Sequence, residues 1–236
     1  MKKKFLTGVC AILLISVGCS NEPIEDKPVD IDGNVYRTVV IGNQEWFAEN
    51  LKTTKYNDGT PIPTGHSDDE WVALTTGAYA VYPYTSIEGL DTDAEVLDAY
   101  GALYNWYAVE TGKLCPKGWH VPTDAEWTAL TDYLGGLDVA GVKLKSSRTE
   151  SAAHPRWNSP NTGATDEYGF SALPGGYCYY SNGMFYAVGN TGYWWSSTGS
   201  NASSAWNRGM ISNDGTVYRF SEPKRSGLSV RCLRDK

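Results

Sequence analysis

The feature of the sequence that most constrains the fold is a change of hydrophobic period between the centre of the chain and its last third. In the centre, Thr123-Asp124-Ala125-Glu126 has the pattern of a capping box, in which the Thr123 hydroxyl accepts from the Glu126 amide and the Glu126 carboxylate accepts from the Thr123 amide. Apolar side chains then recur at helical spacing on one face, namely Trp127, Leu130 and Leu134, before Gly135-Gly136. The pattern predicts an amphipathic helix that begins after Thr123 and ends at the two glycines.

From Gly169 onward, apolar residues recur with period two and are separated by repeated turn signals. Ser181-Asn182-Gly183 and Asn213-Asp214-Gly215 are two such turns. This part of the chain predicts a meander of short antiparallel strands that finishes at residues 229–232.

The first half of the chain adds one hairpin and one more helix. Val35, Val39 and Ile41 alternate with other residues, and Gly42-Asn43 then turns the chain into Gln44-Glu45-Trp46-Phe47, so a β-hairpin is predicted. A turn-rich stretch reaches residue 93, and a second helix is predicted to be capped by Asp98 and ended by Gly112. The apolar face of that helix is Leu103, Tyr104, Trp106 and Tyr107. A hairpin, two helices and a strand-rich half indicate an α+β fold.

The N-terminus has the pattern of a lipoprotein export signal. Lys2, Lys3 and Lys4 precede an almost continuously apolar run over residues 5–17, and Ser16-Val17-Gly18 places small residues before Cys19. This apolar run is too short to cross a bilayer as a helix, which needs roughly 20 residues. We therefore expect residues 1–18 to be removed and Cys19 to carry lipid. Ordinary secretion stays open, because Ser16 stands where leucine is usual in such signals.

The remainder divides into a tether and one folded body. Residues 19–30 are polar and acidic and contain two prolines, which is typical of a flexible linker, and residues 31–236 form the predicted body. The whole chain has a formal net charge of −7 and has no cluster of Lys and Arg after Lys4. This charge balance argues against nucleic acid or anionic lipid as a partner, since both require clustered cations.

Several motifs, in order along the chain, resemble the Fibrobacter succinogenes major paralogous domain. They are Asp32-Gly33-Asn34-Val35-Tyr36, Ile41-Gly42-Asn43-Gln44-Glu45-Trp46-Phe47-Ala48-Glu49-Asn50-Leu51, Tyr100-Gly101-Ala102-Leu103-Tyr104-Asn105-Trp106, Cys115-Pro116-Lys117-Gly118-Trp119-His120-Val121-Pro122-Thr123-Asp124-Ala125-Glu126-Trp127, Gly192-Tyr193-Trp194-Trp195-Ser196-Ser197 and Ser229-Val230-Arg231-Cys232. The resemblance covers residues 31–236. The family is largely uncharacterised and occurs mainly on exported bacterial proteins. Together with the signal that ends at Cys19, this predicts a protein that is lipid-anchored to the bacterial outer membrane at the cell surface.

The helix start and the Arg-Cys-Leu-Arg end are also similar to the sulfatase-modifying-factor and C-type lectin-like folds. That similarity implies a body with two main helices beside a twisted antiparallel sheet, with long loops on one side. Those folds bring the two ends of the chain together, which implies that Cys115 pairs with Cys232 and that Cys178 stays unpaired. Fold alone does not determine the function.

Enzyme motifs and metal motifs are weak in this sequence. There is no nucleophile elbow, no His-Glu-x-x-His and no phosphate-binding glycine loop, and His66, His120 and His154 stand in unrelated contexts. Acidic runs at residues 30–34 and 91–95 could hold a cation, but solvated loop acids explain them equally well. No catalytic residue, metal or cofactor is therefore predicted.

Aromatic residues give the one signal for a ligand site. The chain has nine Trp and sixteen Tyr against five Phe, and rings of this amphipathic kind are common at sugar-stacking and protein-binding surfaces. Neighbours on a strand face opposite ways, so Tyr179 with Tyr180 and Trp194 with Trp195 cannot all enter one core. The predicted ligand contacts are Tyr179, Tyr180, Tyr186, Trp194 and Trp195. The competing interpretation makes all of them core residues.

The sequence therefore favours a lipid-anchored, non-enzymatic binding or adhesion module at the cell surface, with a glycan or a protein as ligand. A structural component of a cell-surface complex is the alternative, and an uncharacterised enzyme comes third.

Overall fold

A computed structural model describes residues 27–236 of the chain. The predicted signal, Cys19 and the first part of the predicted tether lie outside the described residues. The helices are α1 (Asp68–Ala73), α2 (Asp93–Tyr100), α3 (Trp106–Glu110), α4 (Asp124–Tyr133) and α5 (Leu137–Leu144). The strands are β1 (Thr38–Ile41), β2 (Gln44–Phe47), β3 (Tyr79–Ala80), β4 (Leu103–Tyr104), β5 (Trp119–His120), β6 (Tyr177–Cys178), β7 (Phe185–Tyr186), β8 (Thr191–Gly199), β9 (Ser204–Ile211), β10 (Tyr218–Pro223) and β11 (Leu233–Arg234). The predicted α+β class is confirmed; the likeness to a C-type lectin stays a prediction.

A four-stranded sheet joins the two ends of the body. Its order is β1-β2-β11-β5, and β1 and β2 form the predicted hairpin, with Ile41 opposite Gln44. Leu233 of β11 lies opposite Trp46 on one side and His120 on the other. The last strand thus begins just after residues 229–232, where the meander was predicted to finish, and it joins a different sheet.

The second main sheet has the order β10-β9-β8 and is antiparallel throughout. Its turns include the predicted one at Asn213-Asp214-Gly215, and the hairpin of β6 and β7 encloses the other predicted turn at Ser181-Asn182-Gly183. β9 is the central strand of this sheet, and β10 and β8 are its two outer strands.

Capping chemistry determines where the helices begin. At α4 the Thr123 hydroxyl accepts from the Glu126 amide and the Glu126 carboxylate accepts from the Thr123 amide, so the predicted capping box is confirmed. Ser67 and Thr92 form the same motif at α1 and α2. Two helices were not predicted from the sequence: α1, which lies in the predicted turn-rich stretch, and α5.

The predicted helix from Asp98 to Gly112 is wrong. Helix α2 instead ends at Tyr100, because Gly101 has φ +80° and packs so closely that a Cβ there would lie 2.6 Å from the Asn50 Cβ. The chain is extended through β4, and Asn105 then caps the short helix α3 by accepting from the Ala108 amide. The aromatic face that suggested one helix therefore belongs to a strand and a second helix.

Three hydrophobic clusters fill the body, and the disulfide lies in the first of them. Cys115 and Cys232 are bonded, as the resemblance implied, and their Cα atoms are 5.9 Å apart. Cys178 is free and buried. Within residues 27–236, no helix has the length and apolar character that a membrane crossing requires.

Candidate functional site

One face of the β8-β9-β10 sheet carries the candidate site. Strand alternation places Tyr193 of β8 on the same face as Gly209 and Asn207 of β9. On β10, Tyr218 lies opposite Gly209, and Phe220 lies opposite Asn207, so both rings reach the same face. Glu222 follows two residues later and completes the row on β10. The opposite face of this sheet packs against α4 through the Trp194 side.

The two predicted tryptophan contacts are buried. Trp194 and Trp195 are each 0% exposed, so neither ring is available to a ligand at the surface, and their place among the predicted contacts is corrected. They face opposite ways as strand neighbours must, but each side of the sheet is covered by its own hydrophobic cluster. Neighbouring rings on β8 therefore enter two cores, and neither reaches solvent.

The predicted tyrosines do come together on the partly exposed side. Tyr177 lies opposite Tyr186 in the β6-β7 hairpin, with ring centroids 5.8 Å apart. Tyr179 lies 4.7 Å from Tyr180 and 6.1 Å from Tyr186, measured between ring centroids. The Tyr193 ring reaches this group from β8, 5.5 Å from Tyr177. All of these side chains are partly exposed.

Of these rings, Tyr177, Tyr179 and Tyr193 line a pocket of about 210 Å³, whereas the predicted contacts Tyr180 and Tyr186 lie outside its lining. It is lined by Tyr177, Tyr179, Tyr193, Asn207, Phe220, Glu222 and Leu228, and we call it the aromatic pocket. The planes of Tyr177 and Tyr193 are inclined at 82°, and those of Tyr177 and Tyr179 at 76°, so these rings meet edge to face at the pocket. Phe220, one of the lining residues, is 41% exposed, and Met184, whose Sδ lies 3.7 Å from the Tyr186 hydroxyl, is 50% exposed. A concave, mainly apolar pocket with a few polar groups has the usual form of a ligand site.

Two residues of the pocket lining, Glu222 and Asn207, carry hydrogen-bond acceptors. Glu222 accepts a hydrogen bond of 2.7 Å from the Ser226 hydroxyl, and desolvation raises the pKa of the Glu222 carboxyl. Asn207 is 1% exposed, and its Nδ2 donates to the Phe220 carbonyl oxygen at 3.4 Å. Its Oδ1 is buried and accepts no hydrogen bond from any residue between 27 and 236. An unpaired buried acceptor costs roughly 1–3 kcal/mol, which a donor from a ligand would offset.

Gly209 allows the rings to approach the sheet. A Cβ at this position would lie 2.6 Å from Tyr193 Cε1 and 3.2 Å from Phe220 Cε2. A side chain at Gly209 would therefore displace the two rings that flank the pocket on the sheet side.

Two of the three histidines, His120 and His154, are engaged with protein partners. His66 instead lines a second pocket with Cys178 and Asp93, and its Nε2 is buried without a hydrogen-bond partner among residues 27–236. His120 Nδ1 is 2.6 Å from Asp235 Oδ1, and its Nε2 is 3.1 Å from a Glu126 oxygen, so this ring joins the helix cap to the C-terminal strand. His154 Nδ1 lies 2.6 Å from the Tyr100 hydroxyl. The Cys178 thiol is buried and donates to the Gly183 carbonyl at 3.1 Å, and burial raises its pKa to about 12, which makes it a poor nucleophile.

The acidic runs considered for calcium have protein partners. Asp30 accepts from the Tyr36 hydroxyl at 2.6 Å and from the Asn34 amide, so Asp30 is part of the folded body. Asp32 accepts from Thr54 and pairs with Lys55, and Glu95 completes the α2 cap. Between residues 27 and 236 no group of three His, Cys, Asp or Glu side chains is arranged to hold a metal ion.

Sequence reasoning missed the sheet-side half of the pocket. Tyr193 precedes the two tryptophans, and strand alternation alone could have placed it with the partly exposed rings, given which face is covered. Tyr218, Phe220 and Glu222 stand at alternate positions after a turn signal, so their common face was readable. Asn207 and Gly209 have no sequence signature, because their role depends on the register of β9 against its neighbours.

Comparison with known families gives one result. Residues 39–234 match the Fibrobacter succinogenes major domain, and the chain belongs to that family. The resemblance noted in the sequence is thereby confirmed. No curated protein and no solved structure gives a significant match.

Proposed function

We propose that this chain is a non-enzymatic binding or adhesion module, lipid-anchored at the cell surface, whose glycan or protein ligand binds in the aromatic pocket. The observation that carries the proposal is the combination of partly exposed ring walls with a buried, unpaired Asn207 Oδ1 on the same sheet face. Aromatic rings that are held in place offer contact area at little conformational cost, and a few fixed polar groups orient what binds.

The surroundings of His120, His154 and Cys178, and the lining of the aromatic pocket, support a non-catalytic role for that pocket. General acid–base chemistry needs a group that can reach a substrate and exchange a proton with it. His120 and His154 are held between protein partners, and the Cys178 thiol is buried with a raised pKa. Glu222 is the only titratable carboxyl among the residues that line the aromatic pocket, and no nucleophile–base pair accompanies it there.

A glycan array combined with a pull-down tests the proposal. Tyr179→Ala and Tyr193→Ala are expected to weaken any specific binding at least about tenfold, since truncating an aromatic anchor at a binding site commonly costs 2 kcal/mol or more. Tyr133→Ala is the matched control, because Tyr133 is 59% exposed on α4 and lies outside the pocket lining. Binding that survives both pocket variants would instead favour a structural role in a surface complex.

The membrane anchor is a separate part of the proposal. A basic start, a short apolar run and small residues before Cys19 support lipidation at that thiol, and two or more acyl chains give stable attachment. Mass spectrometry of the mature protein should find an acylated Cys19 at its N-terminus, and Cys19→Ala should leave the precursor unprocessed. An unmodified mature N-terminus would reject the anchor and leave ordinary secretion.

A further inference from the structure

We propose that the group bound in the aromatic pocket is the cationic end of an arginine or lysine side chain, presented by a partner protein. This inference rests on the proposed function and names the chemistry of its ligand. It is carried by the charge and hydrogen-bonding character of the pocket lining, which provides ring faces and acceptors.

The lining is complementary to a cation. Tyr177, Tyr179, Tyr193 and Phe220 provide the ring faces, and a cation within about 6 Å of a ring centroid is attracted by the negative face of the ring. Glu222 adds a carboxylate, one oxygen of which accepts from Ser226. No Lys or Arg contributes to this lining. A guanidinium or ammonium group can satisfy such a pocket, because it has several donors and no acceptor.

Asn207 also supports a cationic ligand. This lining residue donates from Nδ2 to the Phe220 carbonyl, and its buried Oδ1 is an acceptor without a partner among residues 27–236. A neutral ligand would leave the half-buried Glu222 carboxylate without a counter-charge, whereas a cation would stabilise its ionised form. Charge complementarity therefore favours a cationic group over a neutral sugar.

The shape and the rim favour a protein side chain as the source of that cation. The lining rings meet edge to face at 76° and 82°, so they do not form the flat platform on which a sugar face would stack. Phe220 of the lining and Met184, between β6 and β7, are both exposed, and Met and aromatic residues are enriched at protein interfaces. An amino sugar carries the same ammonium group and is the competing source.

Tyrosine ring NMR on the purified protein separates these sources. The probes are N-acetyl-arginine amide, glucosamine and N-acetylglucosamine, each added to saturation where saturation is reached. The arginine probe is expected to shift the Tyr177, Tyr179 and Tyr193 signals saturably and to bind more tightly than either sugar. Glu222→Gln should weaken that binding at least about tenfold, as is typical when a charge-assisted contact is lost.

Matched variants keep the test decisive. Glu167→Gln removes one exposed negative charge outside the aromatic pocket and should leave the affinity unchanged. Glu222→Asp withdraws the carboxylate by one methylene and should give an intermediate loss, which provides a second readout if Glu222→Gln does not fold.

Three outcomes would overturn the inference. Tighter binding of glucosamine than of the arginine probe would assign the cation to an amino sugar. Binding of N-acetylglucosamine to the same rings, insensitive to Glu222→Gln, would assign a neutral glycan. In both cases the aromatic pocket would still be a binding site. Failure of all three probes, together with partner binding that ignores Tyr179→Ala and Tyr193→Ala, would remove the proposed function as well.

Discussion

Trp194 and Trp195 are neighbours in β8, yet they are fully buried in two different hydrophobic clusters on opposite faces of the sheet. Each indole also has a fixed hydrogen-bond partner. Trp194 Nε1 donates to Asn50 Oδ1 at 2.8 Å, and Trp195 Nε1 donates to the Tyr104 carbonyl at 2.8 Å. Strand β8 therefore separates two hydrophobic clusters.

Replacing either indole should destabilise the fold strongly. We expect Trp195→Ala to lower the free energy of unfolding by about 3–5 kcal/mol, because it removes a fully buried ring and leaves a cavity. Tyr180→Ala is the comparison, since Tyr180 is partly exposed and should cost much less. Denaturant unfolding of both variants checks this. A mild effect of Trp195→Ala would mean that the first cluster repacks around the gap.

The disulfide should contribute substantially to stability. It closes a loop with a sequence separation of 117 residues, and both sulfurs belong to buried side chains. In the chain-entropy model, a loop of this length predicts that the Cys115→Ala/Cys232→Ala double variant loses about 5 kcal/mol of its free energy of unfolding. Urea unfolding of the oxidised parent and of the double variant measures the difference. Equal midpoints and slopes would show that the bridge adds nothing to the free energy of unfolding.

The sequence revealed those parts of the fold that depend on local chemistry. The capping box at Thr123 and Glu126 and the hairpin turn at Gly42-Asn43 are short-range signals, and both were predicted correctly. The break after Tyr100 was missed, because it depends on the close approach of Asn50 to Gly101, two residues that are far apart in the chain. Contacts of that kind are not encoded in a local pattern.

Only part of the candidate site could be predicted from the sequence, because the rest also depends on contacts between distant parts of the chain. Tyr179 and Tyr180 are partly exposed, but they follow β6 and do not alternate on a strand, and for Trp194 and Trp195 alternation cannot say which side a second core covers. That information comes from helix α4 and cluster packing, which bury Trp194 beneath Trp127 and its neighbours. The acceptors Asn207 and Glu222 became recognisable only when the register of β9 and β10 placed them beside the rings.

Asp124 should make the stability of the protein sensitive to acid. Its carboxylate accepts from Arg208 Nη1 at 2.7 Å and from Arg219 Nη2 at 2.9 Å. Burial alone would raise the pKa of Asp124, but the hydrogen bonds from Arg219 and Arg208 outweigh burial and lower it from the ordinary value of 3.8. The folded state therefore binds this proton less readily than the unfolded chain does. The resulting stabilisation is present above pH ~4 and is lost as the pH falls through the folded-state pKa.

Asp124→Asn should remove that acid dependence and lower stability at neutral pH. Because the Arg208 side chain is 0% exposed, it would lose its charged partner while still buried, which typically costs about 3–5 kcal/mol. Asp98→Asn is the control: Asp98 pairs with Lys52 but is 84% exposed, so its loss should cost about 1 kcal/mol or less. Unfolding measured from pH 3 to pH 7 tests both. An unchanged acid limb in Asp124→Asn would assign the dependence to other carboxylates.

Gly209 should control the geometry of the aromatic pocket. Its backbone is not in the left-handed region, so alanine suits the strand conformation, and the consequence of Gly209→Ala is steric. The new Cβ would fall 2.6 Å from Tyr193 Cε1 and 3.2 Å from Phe220 Cε2, and both rings would have to move. We expect a moderate loss of stability, about 1–3 kcal/mol, because overpacking forces side chains from their preferred rotamers.

The loss of binding in Gly209→Ala should exceed what its stability loss explains, because the displaced rings are walls of the pocket. Tyrosine ring NMR should show a shifted Tyr193 signal in a folded protein, and the N-acetyl-arginine amide titration should lose its saturable response. Gly199→Ala is the control in the same sheet, since a Cβ there would approach no atom closer than 3.8 Å and should change neither measurement. If Gly209→Ala moved the Tyr193 signal but bound the probe as the parent does, the position of this ring would not matter for recognition. The binding surface would then lie on the hairpin side, at Tyr177 and Tyr179.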